Sequence, residues 1–139
     1  MFVLDTNVVS ELRKVRSGKA NRGVAEWAEH VPSAELFISA ITIHELEHCV
    51  LLVERSDPAK GALLREWLDQ SVAAAFKSRV LAVDERVARR AAALHVPDPA
   101  PFRDALIRRG RVGYQMTVVT RDLQDLQRFN ELDVLDPWN

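Results

Sequence analysis

Four acidic side chains occupy positions where acids are seldom left alone. Asp5 closes the apolar run Phe2-Val3-Leu4, and Asp122 follows Thr117-Val118-Val119-Thr120-Arg121. Glu45 sits on an otherwise apolar stretch near Ile41 and Cys49, and Asp104 stands between Phe102 and the pair Ala105-Leu106. Taken singly, Asp5 reads equally well as a helix cap just after a strand, and for Asp122 the cap reading comes first. Taken together, four acids among apolar neighbours ask for a common partner, because buried carboxylates are rare without one. Two carboxylates about 4 Å apart repel by roughly 4 kcal/mol at an effective dielectric near 20. Such a cluster therefore needs protons or a hard cation. An oxygen-only donor set selects Mg²⁺ or Mn²⁺ over Zn²⁺. A cation held this way polarises a phosphodiester and lowers the pKa of an attacking water. The chemistry expected of these residues, if they converge, is metal-assisted phosphodiester hydrolysis.

Convergence requires elements that carry the acids to one edge. Phe2–Leu4, Leu36–Ile38, Val80–Val83, Met116–Val119 and Val134–Leu135 read as short apolar strands. Between them, helical patterns run over Val8–Arg13, Asn21–His30 and Ile41–Arg55, then from Asp57-Pro58, from Asp84 to about His95, and from Phe102. Residues 97–101, Pro-Asp-Pro-Ala-Pro, read as a stiff connection. Strands alternating with helices predict an α/β fold with a central, mainly parallel sheet flanked by helices. Sites in such sheets lie beyond the C-terminal ends of the strands, which is where Asp5 and Asp122 fall.

The chain has 139 residues, 47% hydrophobic and 28% charged, with a net charge of -1. This predicts a single folded domain over 1–139 rather than disorder. Five Gly and six Pro exclude a collagen-like chain, and the lone Cys49 excludes a disulfide scaffold. One free thiol, no signal-like start and no long apolar span predict a cytoplasmic protein with no membrane contact. The balanced charge weighs against a protein that coats nucleic acid broadly, but leaves room for an enzyme that grips a short piece of it.

His44-Glu45-Leu46-Glu47-His48 offers a rival chemistry. It matches H-E-x-x-H, which on a helix sets two imidazoles one turn apart as zinc ligands with Glu45 as base. A zinc peptidase is the competing enzyme, although Glu47 is unusual there, no third ligand follows at a familiar spacing, and Asp5, Asp104 and Asp122 would have no role. Arg86, Arg89 and Arg90, with Arg103, Arg108, Arg109 and Arg111, read either as solvated helix faces or as a rim that grips phosphate. Trp27, Trp67 and Trp138 read as core or interface anchors. Leu51-Leu52-Val53 makes the Glu45 helix apolar on more than one side, either for burial on two sides or for a partner.

Met1-Phe2-Val3-Leu4-Asp5-Thr6-Asn7-Val8-Val9-Ser10-Glu11-Leu12 closely resembles the opening of VapC-type PIN-domain ribonucleases. Ile38-Ser39-Ala40-Ile41-Thr42-Ile43-His44-Glu45-Leu46, Arg103-Asp104-Ala105-Leu106-Ile107 and Thr117-Val118-Val119-Thr120-Arg121-Asp122 resemble the next three motifs of that family, in order. The resemblance implies a PIN-like three-layer fold. It implies an acidic pocket of Asp5, Glu45, Asp104 and Asp122 that binds Mg²⁺ or Mn²⁺ and cuts RNA, with Asn7 and Thr120 supporting it by hydrogen bonds. Arg103, Arg108 and Arg109 become expected contacts to RNA phosphate. The resemblance further implies a type II toxin: a homodimer, in a higher assembly with a small VapB-like antitoxin. One stretch departs from the pattern. Arg108-Arg109-Gly110-Arg111-Val112-Gly113 stands where the family carries small residues, and the two glycines weaken a helix by about 1 kcal/mol each. It reads three ways: arginines that grip RNA, a local reading-frame slip, or a domain turned into a catalytically weak binding module.

Overall fold

A computed structural model describes residues 1–96, 105–107, 116–123 and 134–139. Its centre is a five-stranded sheet in the order β3-β2-β1-β4-β5, with every pairing parallel. The strands are β1 (Phe2–Leu4), β2 (Leu36–Ser39), β3 (Val80–Leu81), β4 (Thr117–Val119) and β5 (Val134–Leu135). The helices are α1 (Thr6–Leu12), α2 (Arg22–His30), α3 (Ala40–Ser56), α4 (Pro58–Glu66), α5 (Ala73–Ala75) and α6 (Glu85–Ala93); residues 105–107 are also helical. A π-helical stretch, Trp67–Val72, joins α4 to α5.

β1 is the middle strand, which explains why it is apolar throughout. Its side chains alternate between two apolar layers. Phe2 and Leu4 pack with α1, α3 and α4, while Val3 packs with Ile107 and Met116 on the other face. β2 repeats the pattern, with Leu36 and Ile38 on the first face and Phe37 on the second. Val3, Leu4, Ile38 and Val119 are fully buried. Helices on both faces of a parallel sheet are the expected three layers.

The chain reverses its direction of build at β1. β2 and β3 lie to one side and β4 and β5 to the other. This switch point opens a crevice beyond the C-terminal ends of β1 and β4. Register sets those ends level, with Leu4 opposite Val119.

Local chemistry starts most of the helices. The Asp5, Asn21, Ser39, Asp57 and Asp84 side chains cap α1, α2, α3, α4 and α6 by accepting backbone N–H groups. Capping by Asp5 starts α1 at Thr6, earlier than the expected Val8. β3 is shorter than the expected Val80–Val83, because as an edge strand it pairs with β2 alone, at Ile38↔Val80 and Ser39↔Leu81. Trp27 and Trp67 are half-buried against the core, and Trp27 meets Phe2 edge to face with ring centroids 5.5 Å apart. Leu51 and Leu52 remain 53% and 56% exposed, so that side of α3 is open among the described residues.

Glu11, near the end of α1, ties that helix to the start of α2. Its Oε1 accepts the Asn21 N–H at 2.7 Å and its Oε2 takes Lys14 Nζ at 3.0 Å. These partners, the Asn21 N–H foremost, hold its carboxyl below the usual glutamate value. A depressed folded pKa means stability that is present above the unfolded value and lost as pH falls through the folded one. The wild type should therefore lose thermal stability as pH drops through about 4.3 and below. Glu11→Gln should flatten part of that loss, read as the difference in Tm between neutral and acidic buffer. An unchanged pH dependence in the variant would show that the staple contributes nothing.

Candidate active site

The crevice at the switch point holds the first of the expected carboxylates in a fixed pose. Asp5 leaves β1 and enters α1, and its N–H is held by the Val119 carbonyl at 2.9 Å. Its Oδ1 accepts the Thr6 N–H at 2.8 Å, and its Oδ2 accepts the Thr120 hydroxyl at 2.8 Å. Each oxygen keeps lone-pair capacity for another partner. Thr120 is the residue just after β4, 2% exposed, and is itself placed by its N–H on the Leu135 carbonyl at 3.0 Å.

Thr120 Oγ1 is the hub of the crevice. Besides donating to Asp5, it accepts Asn7 Nδ2 at 3.4 Å and the Asp122 N–H at 3.1 Å. Asn7 Oδ1 in turn accepts the Arg121 N–H at 3.4 Å. The structure thus brings together Asp5, Asn7, Thr120 and the backbone of Asp122, in the supporting roles expected for Asn7 and Thr120. The Asp122 side chain is exposed beside an open cleft of about 640 Å³ lined by Asn7, Arg121, Asp122 and Leu123.

Glu45 lies on the second turn of α3, which begins where β2 ends, beside β1. It is half-buried, and no hydrogen bond joins it to the Asp5–Thr120 group among the described residues. Asp104, Arg103, Arg108 and Arg109 lie outside the described residues, as does the whole Arg108–Gly113 segment. Among the described residues, no three His, Cys, Asp or Glu side chains gather closely enough to hold a metal ion. What is present fits a hard cation: an oxygen-only set, a carboxylate with both oxygens oriented, and the buried Thr6 hydroxyl, which has no hydrogen-bond partner among the described residues.

The H-E-x-x-H reading fares differently. His44 and His48 are exposed on α3, Glu47 is held by Arg65 at 2.6 Å, and no third ligand joins them among the described residues. The motif is a polar helix face. One residue of the crevice was missed: Arg121, whose side chain lines the cleft. It stands inside the quoted Thr120-Arg121-Asp122 motif, and its position between two singled-out residues was the available signal.

Residues 2–132 match the family model described as PIN domain. The chain belongs to the PIN domain family. It is 32% identical over 145 residues to Toxin FitB of Neisseria gonorrhoeae, across 100% of this chain and 99% of that protein. It is 47% identical to Ribonuclease VapC14 of Mycobacterium tuberculosis over 75 residues, 54% of this chain and 70% of that one. The crystal structure of FitAcB from Neisseria gonorrhoeae superposes with a TM-score of 0.87 at 30% identity, covering 100% of this chain and 99% of that chain. Membership in this family takes away the zinc peptidase alternative.

Proposed function

We propose that the chain is a divalent-metal-dependent endoribonuclease and the toxin of a type II toxin–antitoxin pair, acting as a single PIN-like domain over 1–139 in the cytoplasm. The observation that carries this reading is the Asp5 carboxylate, oriented through both oxygens at the switch point of the sheet. Asp5, Glu45, Asp104 and Asp122 would hold Mg²⁺ or Mn²⁺, which when bound supplies charge neutralisation and a more acidic water. The protein's own part is positional. Thr6 N–H and Thr120 Oγ1–H fix the plane of the Asp5 carboxylate, and Asn7 and the Asp122 N–H fix Thr120 in turn. Arg121, at the mouth of the cleft, offers a guanidinium to the phosphate being cut. Hydrolysis adds water to phosphorus, breaks one ribose P–O bond, and returns the proton to the leaving oxygen.

The names of the relatives support the activity and the partners. Two are called toxin and ribonuclease, and one solved neighbour is described as a toxin–antitoxin complex from Klebsiella pneumoniae. A VapB-like antitoxin and a second copy of this chain are the proposed protein partners, in a higher assembly. The exposed Leu51, Leu52 and Leu63 on α3 and α4 give apolar surface for such contacts. No helix among the described residues is long and apolar enough to cross a membrane.

The test is cleavage of a mixed cellular RNA pool by purified protein with Mg²⁺ or Mn²⁺, beside an EDTA control. Discrete fragments that vanish in EDTA are expected. Intact RNA after incubation of folded protein with both metals would overturn the enzyme.

A further inference from the structure

A second charged cavity lies away from the carboxylates, along the open side of the sheet. β3 is the edge strand, and a cavity of about 380 Å³ runs beside it. Three guanidinium groups line it, Arg79, Arg86 and Arg90, against one carboxylate, Asp84, with Phe37 and Leu81 among its apolar lining. The three arginines are committed to different degrees. Arg79 spends its donors on backbone: on Leu36 O at 3.1 Å, and on Ser33 O and Ala75 O. Its charge remains, and three of its five N–H donors are used. Arg86 and Arg90 form no ion pair among the described residues. The neighbouring acids are engaged elsewhere: Asp84 Oδ1 caps the Val87 N–H at 2.9 Å, and Glu85 pairs with Arg89 at 3.1 Å on an exposed face. Arg90 Nη1 is cut off from solvent and has no hydrogen-bond partner among the described residues.

A buried cationic donor without an acceptor is costly, and the cost is relieved when the Arg90 side chain turns its guanidinium to an acceptor that enters the cavity it lines. An anion in this cavity brings both the oxygen and the charge, and phosphate matches the arginine fork. Placement selects which phosphate. The cavity runs along β3, from Ser78 and Arg79 before the strand to Asp84 after it, and its Asp84–Arg86 end lies at the same C-terminal rim of the parallel sheet that carries Asp5 and Thr120; β3 lies two strands from β1, about 10 Å across the sheet at ordinary strand spacing. A single strand a few nucleotides long reaches from one to the other. We infer that the Arg86–Arg90 cavity is a second, non-catalytic anion site that takes a backbone phosphate of the RNA strand whose scissile bond lies at the carboxylates, an inference that rests on the ribonuclease reading above. Such a contact positions the strand without reading its bases.

Binding of a fluorescein-labelled single-stranded RNA 12-mer, with Ca²⁺ in place of Mg²⁺, gives the test as a function of salt. The Arg86→Gln/Arg90→Gln double variant should bind more weakly, and the slope of log K against log salt should shrink by about 0.7 for the one phosphate lost. In the cleavage assay KM should rise with kcat unchanged. Arg89→Gln, which removes a charge on the same helix but outside the cavity, should leave the slope as in wild type. An unchanged slope in a folded double variant overturns the site. Should that variant unfold, Arg86→Gln alone, at an exposed position, must still reduce the slope, and an unchanged slope there counts against the site equally. Wild-type protein that binds no RNA at any salt would remove the ribonuclease reading itself, a failure told apart from the loss of the cavity by the wild-type curve alone.

Discussion

Asp5→Asn should leave the fold in place and lower RNA cleavage by about 10²- to 10⁴-fold, since charge stabilisation at such a centre is worth several kcal/mol and each tenfold in rate is about 1.4 kcal/mol. The reason lies in what the substitution keeps. The amide oxygen can still accept the Thr6 N–H that Asp5 Oδ1 accepts at 2.8 Å, so the cap on α1 survives. The Thr120 hydroxyl, which donates to Oδ2 at 2.8 Å, already accepts from Asn7 Nδ2 at 3.4 Å and from the Asp122 N–H at 3.1 Å, so facing the new amide it gives up the longer of these two bonds, at a cost of about 1 kcal/mol. Packing around Leu4 and Val119 is untouched, because the two side chains have nearly the same shape. The larger loss is the negative charge, and with it one ligand of the proposed cation site. Tm within a few degrees of wild type, together with lost cleavage, separates a chemical role from a capping role. A variant that keeps more than a tenth of the wild-type rate would show that Asp5 is only the cap of α1.

Much of the position of Asp5 could be read before the fold was known. Phe2-Val3-Leu4 is apolar at consecutive residues because it is the middle strand of a parallel sheet, buried on both faces, and an acid after such a strand has few places to go. The Asp5–Thr120 hydrogen bond was not readable from pattern, since the two residues are 115 positions apart and meet only because β1 pairs with β4. The family resemblance supplied Thr120 as a support; the sheet order supplied its partner. The Glu11 staple was missed for a related reason. Its acceptor reaches a backbone N–H, at Asn21, which no residue type advertises. The second face of α3 shows a different limit. Leu51 and Leu52 are as apolar as Val50, but composition does not tell a face packed inside from one left open, and here only Val50 is buried. Asp104 and the Arg108–Gly113 segment fall outside the described residues.

Gly61→Ala should destabilise the protein by about 2 kcal/mol or more, although alanine is the better helix former. On propensity alone the change would favour α4 by about 1 kcal/mol. Packing opposes it. A methyl built on Gly61 would lie 2.5 Å from Glu54 Cα and 2.8 Å from Glu54 N, both backbone atoms of α3 that no rotamer change can move. α4 would have to lift away from α3. The two helices are also joined by Arg65, which reaches Glu47 at 2.6 Å and Glu54 at 2.8 Å, and whose charged form those two acids strongly favour. Separation would stretch both pairs and open the contact of Leu64 with the core that holds Val50 and Leu46. These pairs are partly exposed, so the larger loss is in packing. The expected readout is a Tm lowered by roughly 6 °C or more for a chain of this size. A Tm raised by the substitution would mean that helix propensity prevails, and that α3 and α4 do not approach as closely as the Gly61–Glu54 contact requires.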